Sequence, residues 1–377
     1  GLPELPMRRR FRRSLPGKRE ERAERQKGEM NMKILFIGGT GTISMAISRQ
    51  LLAAGEELYL LNRGNRNLDL AAQLPDGSWN RPVEIVADIH EEAAVAEKIR
   101  DLKFDVVADF IVFDRSALER DYRLFAGKTK QYIFISSASA YQKPSEDYLI
   151  NESTPLINPY WEYSRKKIEC EDYLMKLYRE EGFPVTIVRP SHTFDERNVP
   201  VGVEGRKGCW QILKRMLEGK EVIIQGDGTS LWTTTFNTDF APGFIGLLGN
   251  PHTLGQAVQI MSSESMTWNQ IYETIADELG VELHAVHIST DFLMEAAGDQ
   301  YDFQGLIGDK SNTVVFDISK LKHFVPSFEP KLTMAQGLRR AVRSVLNTPE
   351  YQREDPEFDA WCDKVIAARR AALELLK

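Results

Sequence analysis

The stretch YWEYSRKKIECEDYLMKL, residues 160–177, sets two tyrosines and two adjacent lysines at the head of a helical pattern. At about 100° per residue, Tyr163, Lys167, Cys170, Leu174 and Leu177 fall on one stripe, and its mostly apolar members make it the buried face. Lys167 therefore points inward, while Lys166 lies at the edge. A buried ammonium is costly unless something compensates it. An inward lysine one turn from an inward tyrosine thus asks for a chemical reason, and the chemistry on offer is proton transfer. A phenol ionises near pH 10 and is a poor base at neutrality, but a neighbouring cation stabilises its phenolate.

A second group of residues has the spacing to hold a nucleotide. The apolar run KILFI leads directly into GGTGTIS, which reads as G-x-x-G-x-x-S. Gly38 and Gly41 stand where a chain must turn tightly and let a pyrophosphate approach the backbone, with the free N–H groups of the next helix behind it. The third position, where glycine permits close helix–strand packing, is Ser44. At the end of the second apolar run the sequence has Asn62-Arg63, with Arg66 following, in place of a carboxylate. Arginine matches the charge and shape of an adenosine 2′-phosphate, so the pattern leans to NADP over NAD. Asp88, closing the run VEIVAD, is a candidate acceptor for the adenine amino group.

The elements that must position these groups alternate. Strands are predicted at KILFI, ELYLLN (57–62), VEIVAD (83–88), DVVADFIVF (105–113), QYIFISS (131–137) and VTIVRPS (185–191), with helices between them. Short apolar strands alternating with helices indicate α/β architecture, a doubly wound parallel sheet covered on both faces. After residue 191 the alternation fades. A helix near 209–218, the run EVIIQGDG and an amphipathic helix opened by Thr267 as N-cap point to a smaller lobe for substrate. The expected organisation is a dinucleotide-binding domain over 32–190 with 232–262 returning to it. Residues 191–231 and 263–346 would form the lobe, and 347–377 a terminal helix.

Bulk composition narrows the classes. The 377 residues carry a net charge of −7, which gives no support to nucleic acid as the main partner. Residues 1–30 hold ten Lys/Arg and five Asp/Glu, a local +5, and lack apolar periodicity. Residues 1–31 are therefore expected to be a disordered basic arm. No apolar run approaches the ~18 residues that span a bilayer. Three scattered cysteines and six scattered histidines form neither a disulfide framework nor a metal-ligand pattern, consistent with a cytoplasmic location and no metal.

Taken together, GGTGTIS, VAD at the third strand end, FISSASAY at the fifth, YSRKK and VRPSHTF resemble the extended short-chain dehydrogenase/reductases, the NAD-dependent epimerase/dehydratase family. The resemblance covers roughly residues 32 to 345. It implies a catalytic Tyr-x-x-x-Lys at Tyr163 and Lys167; Tyr160 is excluded because Ser164 stands four residues on. It also implies a catalytic hydroxyl four residues before Tyr141, which is Ser137, with Ser136 and Ser139 as neighbouring alternatives. In this scheme Lys167 lowers the phenol's pKa and binds the nicotinamide ribose. Ser137 holds the substrate oxygen, and Tyr163 moves its proton as hydride passes between substrate carbon and nicotinamide. The implied cofactor contacts are Gly38, Thr40, Gly41, Thr42, Ile43, Asn62, Arg63, Asp88, Ile89, Phe110, Ile111, Lys167 and Pro190.

The substrate is less determined. The family's dehydratases follow the catalytic hydroxyl with an Asp-Glu pair; here Ala138-Ser139 stand there, which disfavours elimination. Nucleotide-sugar enzymes of the family place an arginine on the diphosphate where this chain has Trp232, an indole that can stack on a sugar; Arg206 or Lys207 would have to substitute for the charge. His192, in VRPSH, is placed to hydrogen-bond a hydroxyl or carbonyl. The expectation is an epimerase or dehydrogenase/reductase acting at a secondary alcohol or ketone of a carbohydrate-like or nucleotide-sugar-like substrate, with Ser137, Tyr163, His192 and Trp232 facing it. The alternatives are an NADP-dependent reductase of a non-sugar ketone, and a non-catalytic RNA-binding protein like the chloroplast stem-loop binders of the same branch. The resemblance also suggests a homodimer through the helices after the fourth and fifth strands.

Overall fold

A computed structural model describes residues 31–64 and 70–377; residues 1–30 of the expected basic arm and Arg66 lie outside them. The core of the molecule is a sheet of seven parallel strands: β1 (Lys33–Ile37), β2 (Glu57–Asn62), β3 (Val83–Val86), β4 (Phe104–Asp109), β5 (Thr129–Ile135), β6 (Val185–Pro190) and β7 (Gln256–Ile260). Their spatial order is β3-β2-β1-β4-β5-β6-β7. Strand β1 lies between β2 and β4, with Ile37 opposite both Leu61 and Asp109. The chain therefore winds outward in both directions from the β1/β4 pair, and such reversals leave a crevice at the carboxyl ends of the strands.

The strands read as unbroken apolar runs because both faces are buried. Alternate residues serve opposite layers: Ile34 and Phe36 pack on one side with α1 (Thr42–Ala53) and helix Asn237–Ile245, while Leu35 and Ile37 pack on the other. That second side is covered by α2 (Glu92–Lys98), α3 (Arg115–Phe125) and α4 (Glu162–Glu181). Each fully buried aliphatic or aromatic side chain contributes about 1.5–3 kcal/mol, so the two layers supply most of the cohesion. The stripe read from α4 is the one that faces the sheet: Lys167, Cys170, Leu174 and Leu177 are buried. The helix ends at Gly182 in the left-handed conformation.

Four predicted strands run past their observed ends: VEIVAD stops at Val86, VTIVRPS at Pro190, and the other two overshoots bear on the site. DVVADFIVF leaves the sheet after Asp109, whose carboxylate accepts from the Ile111 N–H at 2.7 Å and turns the chain. QYIFISS stops at Ile135, leaving Ser136 and Ser137 beyond the sheet edge.

After β6 the chain builds an irregular cover from two-stranded pairings, among them His192–Phe194 with Thr234–Phe236 and Leu231–Trp232 with Met266–Thr267. Strand β7 returns to the main sheet beside β6. Helix Trp268–Leu279 opens with Thr267, whose hydroxyl accepts from the Gln270 N–H at 3.1 Å. Helix Pro356–Glu374 is anchored to the cover through Arg215, which pairs with Asp359 at 2.7 Å and Asp363 at 2.8 Å. The three cysteines are buried free thiols. Among the described residues no helix is long and apolar enough to cross a membrane.

Candidate active site

Two cavities open at the carboxyl ends of the strands. The first, of 390 Å³, is lined by the turn after β1 (Ile37, Gly38, Thr40, Gly41), by Leu61, Asn62 and Arg63 after β2, and by Ala87 to His90 and Ile111. Gly38 adopts φ +77°, and a Cβ there would lie 2.5 Å from Ile111 Cγ2, so the position needs glycine on both counts. Ser44 locks the turn: its hydroxyl accepts from the Gly41 N–H at 2.9 Å and donates to the Gly38 carbonyl at 2.8 Å. A serine at the third motif position is thus a tie across the loop, not merely a small residue that leaves room for packing.

The expected cofactor residues divide between the cavities. Arg63 lies exposed at the mouth of the first. Asn62 spends its carbonyl oxygen on the Gly64 N–H at 2.8 Å, and Asp88 holds the His90 N–H with one oxygen at 3.0 Å. Ile89 and Ile111 also face the first cavity, whereas Ile43, Phe110, Lys167 and Pro190 face the second. Thr42 faces neither. Its hydroxyl accepts from Arg197 at 3.0 Å and its carbonyl from Asn237 at 2.9 Å, because the first helical residue is turned toward the cover.

The second cavity, of 340 Å³, gathers Ser137, Tyr163, Lys167, His192 and Trp232 from segments far apart in the chain. Of the three candidate serines, only Ser137 is not fully buried. Ser136 donates to Glu171, which also takes the Arg189 guanidinium at 2.9 Å through Nε; this buried pair braces α4 against β6. Ser137 shares a hydrogen bond of 2.8 Å with Ser139, which receives another of 2.8 Å from Ser164. Lys167 is 3% exposed, and its ammonium donates to the carbonyls of Val112, just past β4, at 2.7 Å and of Ile135, the last residue of β5, at 2.8 Å.

The electrostatics depart from the sequence expectation. Burial pushes the Tyr163 phenol up to about 12, opposed by the adjacent Ser137 hydroxyl and reinforced by the negative charge of Asp309. Lys167 is not among the groups that shift it: two of its three ammonium protons go to the two carbonyls, and Nζ sits 5.5 Å from the centroid of the phenol ring. Burial in turn pushes Lys167 down to about 8, against the attraction of Cys170, Asp109 and Glu171. The phenol is therefore held protonated throughout the neutral range.

The substrate side also differs. Trp232 is 2% exposed, with His192 and Trp268 each 4.7 Å away between ring centroids, so it has no free face to stack on a sugar. It is wall, not platform. His192 is pushed down to about 3 by burial and by the Lys310 charge, and so stays neutral. Neither Arg206 nor Lys207 lines the cavity; Arg206 donates to the Gln300 carbonyl and lies over Tyr301. Two residues missed by the sequence reading stand beside Tyr163: Trp161, whose ring centroid is 4.9 Å from the phenol's, and Asp309. Trp161 had a local signal, being in the same short stretch; Asp309, 146 positions after Tyr163, had none.

Parallel strands in this order, with a glycine turn at the β1/β4 reversal, define a Rossmann-type fold. The chain belongs to the NAD dependent epimerase/dehydratase family, whose model matches residues 34–260. It is 23% identical over 305 residues to 2'-dehydrokanamycin reductase of Streptomyces kanamyceticus, covering 80% of this chain and 82% of that protein. It is also 25% identical over 357 residues to the chloroplast stem-loop binding protein of 41 kDa b of Arabidopsis thaliana, covering 91% and 86%. Among solved structures, an epimerase of Methanothermobacter thermautotrophicus superposes with a TM-score of 0.65 at 16% identity, over 86% of this chain and 94% of that one.

Proposed function

We propose that the protein is an NAD(P)-dependent oxidoreductase or epimerase that transfers hydride at a secondary alcohol or ketone of a carbohydrate-like substrate. One observation carries the reading: Ser137, just past the end of β5, and Tyr163 and Lys167 of α4 converge on a cavity beside the glycine-turn cavity. Residues 110 and 111, adjacent in the chain, face one cavity each.

The residues present fit a dinucleotide. Gly38, Gly41 and the start of α1 would take its pyrophosphate, Asp88 its adenine, and Arg63 a 2′-phosphate, which favours NADP. When bound, the nicotinamide supplies or accepts the hydride. Ser137 donates a hydrogen bond to the substrate oxygen, and Tyr163 exchanges a proton with it. A phenol held protonated at neutral pH is ready to donate to the oxygen of a ketone as it gains negative charge, which favours the reductive direction. Lys167 ties the loop after β4 to the end of β5 beneath the site. Position 138 is alanine, and Ser139 is engaged by Ser137 and Ser164, so the two positions of the elimination carboxylates carry no acid or base. This argues against a dehydratase.

Native mass spectrometry of the purified protein, followed by denaturation, tests the reading. Retained NAD supports an epimerase, NADP that is readily lost supports a reductase, and failure to bind either dinucleotide refutes both. Tyr163→Phe is expected to keep cofactor affinity while turnover falls by about 10²-fold or more. The second reading, an RNA-binding protein, is favoured by the similarity to the stem-loop binding protein over most of both chains. Filter binding to RNA across a salt series, with and without residues 1–30, distinguishes it, because phosphate contacts weaken steeply with salt.

A further inference from the structure

Beside Tyr163 the second cavity is closed by a single π-helical turn, Leu306–Lys310, a rare geometry that recurs at functional sites. The turn is pinned from three directions. Asn158 donates to the Gly308 carbonyl at 2.8 Å, Trp268 to the Lys310 carbonyl at 2.7 Å, and Asn312 to the Ile307 carbonyl at 2.8 Å. A Cβ on Gly308 would stand 2.7 Å from Trp161 Cβ, so the missing side chain lets the turn seat against the wall. The outcome of this construction is one carboxylate, Asp309, at the cavity beside the phenol, with its side chain 21% exposed. One oxygen accepts from the Trp232 indole at 3.3 Å, and the other lies 3.5 Å from the Lys143 ammonium. Each carboxylate oxygen has further acceptor capacity.

The charges around the cavity are few and mostly engaged. Among the described residues lining it Lys167 is the only cation, and two of its three ammonium protons go to backbone carbonyls. Lys143 is 1% exposed and sits behind Asp309, while Lys310 donates to the carbonyls of Val201 and Gly202. The other polar lining groups are neutral: His192, and the hydroxyls of Ser191 and Thr193, which have no hydrogen-bond partner. Trp161 and Phe113 complete the wall. A diphosphate entering here would meet a carboxylate, no arginine among the described lining residues and a single remaining ammonium proton of Lys167, whereas a sugar's hydroxyl or ammonium groups would find an acceptor, and aromatic rings for its apolar face.

Building on the oxidoreductase reading, we propose that Asp309 is the specificity-determining residue of this site. It selects a phosphate-free carbohydrate that donates hydroxyl or ammonium hydrogen bonds to it, and it rejects nucleotide-diphosphate sugars. Saturation-transfer NMR of the protein loaded with NADP or NAD tests this, using a panel of neutral and amino-substituted mono- and trisaccharides alongside UDP-glucose and glucose 6-phosphate. Phosphate-free sugars are expected to bind and not to be displaced by either phosphorylated probe. Preference for the amino sugars identifies an ammonium donor, and equal binding identifies hydroxyls. Asp309→Asn, which keeps the shape and an acceptor for Trp232, is expected to weaken phosphate-free sugars about tenfold or more while leaving cofactor affinity unchanged; because it also neutralises the partner of buried Lys143, its melting temperature falls, and the retained cofactor affinity is the control for an intact fold. Binding of UDP-glucose in preference to the panel, no binding by any member of the panel, or an unaltered Asp309→Asn variant overturns the assignment. Absence of dinucleotide binding would instead overturn the oxidoreductase reading, so the two failures are distinct.

Discussion

Replacing Lys167 with methionine asks whether a buried cation is built into the site. The native protein lowers the pKa of this amine from 10.5 to about 8. At about 1.4 kcal/mol per tenfold, keeping it charged at pH 7 costs about 3 kcal/mol. Lys167→Met removes that cost but strands the carbonyls of Val112 and Ile135, at about 1–3 kcal/mol each. The opposing effects largely cancel, so the variant's stability at pH 7 is expected within about 3 kcal/mol of wild type, while turnover is lost. The pH dependence is the sharper test. The unfolded chain keeps this proton up to about pH 10.5, whereas the native state releases it near 8. Between those values the unfolded state binds more protons, and wild-type stability rises with pH. Urea unfolding of both proteins at pH 7 and pH 10.5 isolates the effect, since every other titrating group is shared. Wild type is expected to gain about 3 kcal/mol on the variant across that interval. A difference that does not move with pH would refute the claim that Lys167 is charged and desolvated.

Further substitutions probe the supports of the site. Gly38→Ala forces a Cβ into a left-handed backbone and against Ile111, and is expected to cost about 1–3 kcal/mol and abolish dinucleotide binding, read by melting and cofactor titration. Glu171→Gln leaves the Arg189 guanidinium buried beside a neutral partner and is expected to destabilise by about 3–5 kcal/mol in denaturant unfolding, far more than loss of an exposed pair. Arg63→Ala is expected to weaken NADP about tenfold and leave NAD unchanged; equal loss of both cofactors would remove the 2′-phosphate role.

The expectation that lysine would lower the tyrosine's pKa failed for a reason that local pattern cannot express. Helical spacing correctly puts Tyr163 and Lys167 one turn apart on the inward face, but it does not say where the ammonium's protons go. Two of the three go to the carbonyls of Val112, three residues past β4, and Ile135, the last residue of β5, because both strands end beneath α4. The Trp232 reading failed similarly. A tryptophan in a loop reads as available surface, yet Trp268, 36 positions later, and His192 cover it.

What the chain determined without help from long-range contacts is what periodicity and turn chemistry encode within a few residues. The alternation of strands and helices, the inward stripe of α4, the glycine turn after β1 and the Thr267 cap all belong here. Strand order, the meeting of Ser137 with Tyr163, the commitment of Lys167 and the arrival of Asp309 at the cavity belong to the tertiary structure. Each depends on where a distant segment returns, and that is decided by packing two faces of one sheet at once, a condition that no short window of sequence contains.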